Sequence, residues 1–251
     1  MLSGFFNYDN PVWRFIGKFG DLILLNILWL VFSIPIFTIG ASTTAVYYVT
    51  LKLARDDDGY TIRSFFKSFK ENFKQATVIW LVLLAIGAIL GVDLYFFARL
   101  FTGSGTIKTV MLTVFLALAI VYAAVFMYIF PLQSRFFNSV KKTFFNAFFM
   151  SLRHLFRTIG MIVINVALVV MGFVFVIPPV LMIFMLFGFP ILAFINSYIL
   201  SPVFEQYMPK TEEPTDELRP LFYDEEEPVN SILMGKGDEN PVIEQEDEKQ
   251  E

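Results

Sequence analysis

Long apolar runs separated by short polar or proline-bearing breaks dominate the chain. The first runs from Pro11 to Ile34, with only Arg14, Lys18, Asp21 and Asn26 strongly polar. Asn10 is a good N-cap and Pro11 suits a first helical position. Arg14 and Lys18 have stems long enough to reach the headgroups. Leu22–Phe37 is long for a signal-peptide core, so the run is read as a retained helix. The apolar character continues to Leu53. As one helix, 22–53 would measure about 48 Å, against a bilayer core of about 30 Å. Pro35 removes a helix donor and Gly40 is permissive. The pattern therefore predicts a hairpin over Pro35–Gly40, followed by a shorter, more polar helix near Ala41–Ala54. One long kinked helix is the alternative.

Arg55–Gly59, with its three aspartates, reads as a loop. Over Thr61–Gln75 the pattern becomes amphipathic. Phe65, Phe66, Phe69 and Phe73 fall on one face; Arg63, Lys67, Lys70 and Lys74 follow helical spacing on another. Four more apolar runs follow: Ala76–Phe97, Thr109–Phe130 ending at Pro131, Ile159–Ile177, and Val180–Leu200 closed by Ser201-Pro202. Pro178-Pro179 predicts a sharp turn between the last two. Arg135–Thr158 is a second basic, phenylalanine-rich stretch. The predicted fold is all-α: a polytopic transmembrane bundle of six helices, or five, with two interfacial amphipathic helices. Phe65-Phe66-x-x-Phe69 matches Phe144-Phe145-x-x-Phe148, a faint repeat that composition alone also produces.

Composition and charge sharpen this picture. The 251 residues are 56% hydrophobic, with 31 Phe and mean hydropathy +0.63. Residues 1–204 carry 15 basic and 7 acidic residues, whereas 205–251 carry 4 and 16. The chain thus reads as a basic membrane domain, 1–204, and an acidic tail, 205–251, whose composition predicts disorder. Lys and Arg favour inner loops. The six-helix layout puts 17 of them inside and 2 outside; five helices give 15 and 4. Both termini are therefore expected in the cytoplasm.

Chemistry-bearing patterns are sparse. With no Cys and a single His, His154, thiol chemistry is excluded and a zinc site is not expected. No phosphate-binding loop, H-E-x-x-H or G-x-S-x-G occurs. No enzyme activity, cofactor or nucleic-acid partner is expected. Polar residues in or near spans are the remaining candidates. Asp93 and Asp21 read as interfacial carboxylates, Asp93 with Arg99 as its expected partner. Asn26, Asn165 and Asn196 read as interhelical hydrogen-bonding residues. Ser42, Thr43, Thr44 and Thr50 make the second helix the most polar one, suited to close packing or to lining a cavity. Arg63, Lys67, Phe69, Lys70, Phe73 and Lys74 form a candidate lipid or partner surface.

Three segments carry a family resemblance: Asp21-Leu22-Ile23-Leu24-Leu25-Asn26-Ile27-Leu28-Trp29, then Ser33 through Tyr48 with Pro35, Thr38 and Gly40, then Phe65 through Ala76 with Phe69, Asn72 and Gln75. They resemble the YesL family of bacterial membrane proteins over about the first 80 residues. That family has no established activity, and its members are often encoded among carbohydrate-uptake genes of Gram-positive bacteria. The resemblance implies a bacterial plasma-membrane protein linked to sugar transport and supplies no catalytic residues. The expected partners are the lipid bilayer and a membrane transport complex. The expected role is an accessory or assembly subunit; a small transporter or channel is the alternative.

Overall fold

A computed structural model describes residues 11–57, 59–174 and 178–208, with backbone alone for 11–15, 172–174 and 178–186. Contacts divide the chain into two units, Met1–Tyr207 and Met208–Glu251. The expected N-cap at Asn10 and the predicted disorder of the acidic tail lie outside the described residues.

Seven helices make up the described body: α1 (Pro11–Ser33), α2 (Ile39–Leu53), α3 (Thr61–Tyr95), α4 (Gly105–Arg135), α5 (Val140–Arg153), α6 (Leu155–Val174) and α7 (Pro178–Glu205). Four of them are long and apolar enough to cross a membrane. Five qualify if the bent pair α5–α6 counts as one span. Four of the predicted apolar runs thus lie in helices of membrane length.

The predicted hairpin forms. A single 3-10 turn, Ile36–Thr38, separates α1 from α2, and Thr38 N donates to Pro35 O at 2.9 Å. The Thr38 hydroxyl also donates to Phe32 O at 2.6 Å, closing the end of α1. At about 1.5 Å per residue, the 15 residues of α2 reach only about 22 Å, short of a bilayer core. The helix nevertheless sits at the centre of the fold: all its residues from Gly40 to Leu53 except Tyr48 and Lys52 are buried. It packs against α1, α3, α4 and α7.

Three predicted boundaries move. The amphipathic stretch Thr61–Gln75 and the run Ala76–Phe97 are one helix, α3, because no proline or glycine separates them and Gln75-Ala76 favours helix. Only Gly87 and Gly91 lie in its interior, and it ends in a π turn, Phe96–Leu100. Helix α4 passes through Pro131 to Arg135. Proline removes one donor there without stopping the helix, and the Ser134 hydroxyl donates to Pro131 O at 2.8 Å. Helix α7 passes through Pro202 to Glu205 and breaks instead at Gly188, where φ is 37°. Only glycine adopts that backbone cheaply, and Asn26 of α1 fills the space a side chain would need.

The polar ends of α1 to α4, α6 and the second half of α7 gather at one end of the bundle. There Lys18 meets Asp56 at 2.6 Å, Asp21 meets Thr61, Phe136 meets Phe204, and His154 meets Tyr207. Helix α5 makes a 97° corner with α6 at this basic end, hinged at His154.

Candidate functional site

The polar groups near the spans separate into two buried clusters and one exposed basic surface. The first cluster joins α2, α6 and α7. Asn165 Nδ2 donates to Asn196 Oδ1 at 2.8 Å, and Asn196 Nδ2 donates back to Asn165 Oδ1 at 3.2 Å and to the Tyr47 hydroxyl at 3.3 Å. One turn further on, the hydroxyls of Thr50 and Ser197 are 2.8 Å apart. Asn196, Ser197 and Thr50 are all but inaccessible. In so dry a place each amide must find protein partners, and these do.

The second cluster ties α3, α4 and α5 together near the basic end. Gln133 Nε2 donates to Gln75 Oε1 at 2.9 Å and to Asn72 Oδ1 at 3.1 Å, while Thr143 donates to Gln133 Oε1 at 3.3 Å. Gln75 Nε2 reaches the backbone of Asn138 at 3.0 Å. Gln133 follows Pro131 by two residues, at the end of an apolar run, and that contrast was its only signal in the sequence. The partners Tyr47, Asn72 and Thr143 carry no such contrast.

The hydroxyls of α2 turn inward onto protein. Ser42 donates to Thr38 O, Thr44 to Gly40 O, and Thr43 accepts from Trp29 Nε1. Gly40 lies directly against α3. A Cβ there would strike Ala76 O and stand 2.5 Å from Trp80 Cβ, and Trp80 Nε1 donates to Ile36 O at 2.8 Å. A small residue at such a crossing lets two backbones meet. Asp21 is bound locally by the Thr61 hydroxyl at 2.6 Å. Asp93 stands apart near the far end of α3, half-buried, and no ion pair joins it to the expected Arg99. The structure therefore unites Asn165 with Asn196 and places Pro35 and Gly40 at one turn. It leaves Asp21, Asn26 and Asp93 in separate surroundings.

The exposed surface is the basic half of α3. Arg63, Lys67, Lys70 and Lys74 are exposed. Beside them runs an aromatic row: Phe32 touches Phe65, Phe66 and Phe69, and Phe69 touches Phe73 at 5.4 Å. A groove of about 520 Å³ is lined by Phe69, Lys70, Glu71, Phe73, Lys74 and Gln75.

Residues 22–94 match the family described as protein of unknown function, DUF624. The match to that family covers this one segment. It opens within α1 and closes one residue before the end of α3, so it holds the hairpin, the Gly40 crossing and the aromatic row. The uncharacterized protein YesL of Bacillus subtilis (strain 168) is 25% identical over 134 residues, covering 52% of this chain and 61% of that protein. The resemblance to the YesL family read from the sequence thus holds. This chain spans about three-fifths of the length of that relative. No solved structure matches. The α5 corner lies beyond the matched segment, while the two amide clusters join its residues Tyr47, Thr50, Asn72 and Gln75 to helices outside it.

Proposed function

We propose that this chain is a non-enzymatic accessory or assembly subunit of a membrane transport system. It sits in the cell membrane as a multi-pass protein with its basic end in the cytoplasm, and docks its partner on the basic half of α3. One observation carries the reading: the apolar length of α3 and its basic, aromatic half are a single helix. A protein bound at Phe69 and Phe73 is thereby coupled rigidly to the membrane body. The groove there offers an apolar floor between cations, suited to an apolar residue flanked by carboxylates. The link to carbohydrate uptake rests on the family resemblance alone.

The alternative, a transporter or channel with α2 along its path, is less well supported. Its hydroxyls bond to protein and its faces are packed by four other helices. A purely lipid-anchoring role for the same α3 face is the remaining competitor. Replacing Phe69 and Phe73 by Ala, singly, in native membranes separates the readings. Loss of a co-purifying protein with the body still inserted is the expected outcome. Unchanged co-purification sinks the docking role and leaves anchoring.

A further inference from the structure

We propose that the α5 corner holds the headgroup phosphate of an anionic phospholipid, with Arg153 as its principal ligand. The inference is independent of the transport role above.

Helix α5 carries three faces. Thr143, Ala147, Met150 and Ser151, at helical spacing, are buried against the bundle. Phe145, Phe148 and Leu152 form an exposed apolar stripe at 62%, 36% and 51% accessibility. Between these faces lies a third edge made of Lys142, Asn146, Phe149 and Arg153, spaced by four, three and four residues. A helix lying across the end of a membrane bundle with an unpartnered apolar stripe places that stripe among acyl chains and its cationic edge at the headgroups. The 97° corner with α6 provides that crosswise course.

The edge opens onto a hollow of about 420 Å³ lined by Asn146, Phe149 and Arg153 of α5, with Asn138, Phe136 and Tyr207 across from them. None of its described lining residues is acidic. Arg153 stands over the Tyr207 ring at 5.5 Å, which fixes the guanidinium without neutralising it. Arg157 adds charge at the next turn, and burial together with Arg157 and Arg153 disfavours protonation of His154. Glu205, an acidic residue of the last turn of α7, accepts a hydrogen bond from Ser201. A cationic fork beside amide donors suits a phosphate. The apolar remainder of the hollow, continuous along α5 with the exposed stripe, suits the glycerol backbone and first methylenes of a lipid better than a free ion.

The test is native mass spectrometry of the full chain in neutral detergent, titrated with phosphatidylglycerol or phosphatidylcholine. Phosphatidylglycerol should be retained as a discrete adduct well above phosphatidylcholine. Arg153→Gln should weaken that adduct by about tenfold, the scale of one charge-assisted hydrogen bond. Arg153→Lys should restore part of it, and Lys141→Gln, which removes equal charge elsewhere on α5, should leave it intact. Far-ultraviolet dichroism and thermal midpoints of each variant keep folding apart from binding. Millimolar inorganic phosphate should not displace the lipid. Equal retention of both lipids, equal losses in Arg153→Gln and Lys141→Gln, or full displacement by inorganic phosphate would each overturn the proposal.

Discussion

At the scale of single residues, packing against backbone sets the strictest demands. Gly40 is the sharpest case, because α2 and α3 cross where its hydrogen faces Ala76 and Trp80. Gly40→Ala must push the helices apart or bend one of them, at a cost of about 1–3 kcal/mol. Gly91→Ala, in α3 with nothing within 4 Å of its Cβ position, serves as the control and should be neutral or slightly stabilising. Thermal unfolding in detergent measures both, and equal midpoints would disprove the crossing. His154 sets a pH dependence. Burial, then the cations Arg157 and Arg153, holds its imidazole below the ordinary value of 6.5. The folded chain thus takes up this proton less readily than the unfolded chain. The penalty is absent above about pH 6.5 and grows as pH falls below it. The thermal midpoint should drop between pH 7.5 and 5.5, and His154→Gln should shrink that drop. An unaltered drop would place its source elsewhere.

At the scale of elements, what could be read from sequence was periodicity, and what could not was continuity. The runs of apolar residues are long enough that their helical state follows from length alone. The hairpin at Pro35–Gly40 was legible because a missing donor and a missing side chain fall five residues apart. The junction at Gln75-Ala76 was not, since a change from amphipathic to wholly apolar character marks a change of surroundings rather than of backbone. Pro131 and Pro202 misled in the same way: local propensity argued for an end, and neighbouring helices sustained the turn. Of the candidate site, Asn165 and Asn196 were legible as polar residues in apolar runs. Their third partner, Tyr47, was hidden by being ordinary in a helix of mixed character. The continuity of α3 is directly measurable. The chain has no native cysteine, so spin labels at Lys67→Cys and Ile89→Cys report one distance. Twenty-two residues of straight helix give about 33 Å between backbones. A peak below about 25 Å would mean that the basic half folds back from the span.

At the scale of the whole molecule, charge and topology agree. At the basic end Lys18 of α1 approaches Asp56 and also the Tyr198 hydroxyl of α7 at 3.5 Å, so the first and last described helices meet there. An even number of crossings returns a chain to the side it left, so a reporter before Pro11 and one after Tyr207 should report the same compartment. In the proposed orientation, the surplus of Lys and Arg at that end puts it in the cytoplasm. A cytoplasmic C-terminal reporter with an extracytoplasmic N-terminal one would establish an odd number of crossings.

The burial of α2 has a consequence in time. A ribosome makes this helix early, yet two of its polar contacts, Tyr47 with Asn196 and Thr50 with Ser197, belong to the last of the described helices. Until α7 emerges, the Tyr47 hydroxyl lacks Asn196, the Thr50 hydroxyl lacks Ser197, and this short segment has no complete home in either lipid or protein. Nascent chains stalled before Phe189 are therefore the species that the cell's insertion machinery must hold longest, and their lifetime is set by translation of roughly 140 residues beyond α2.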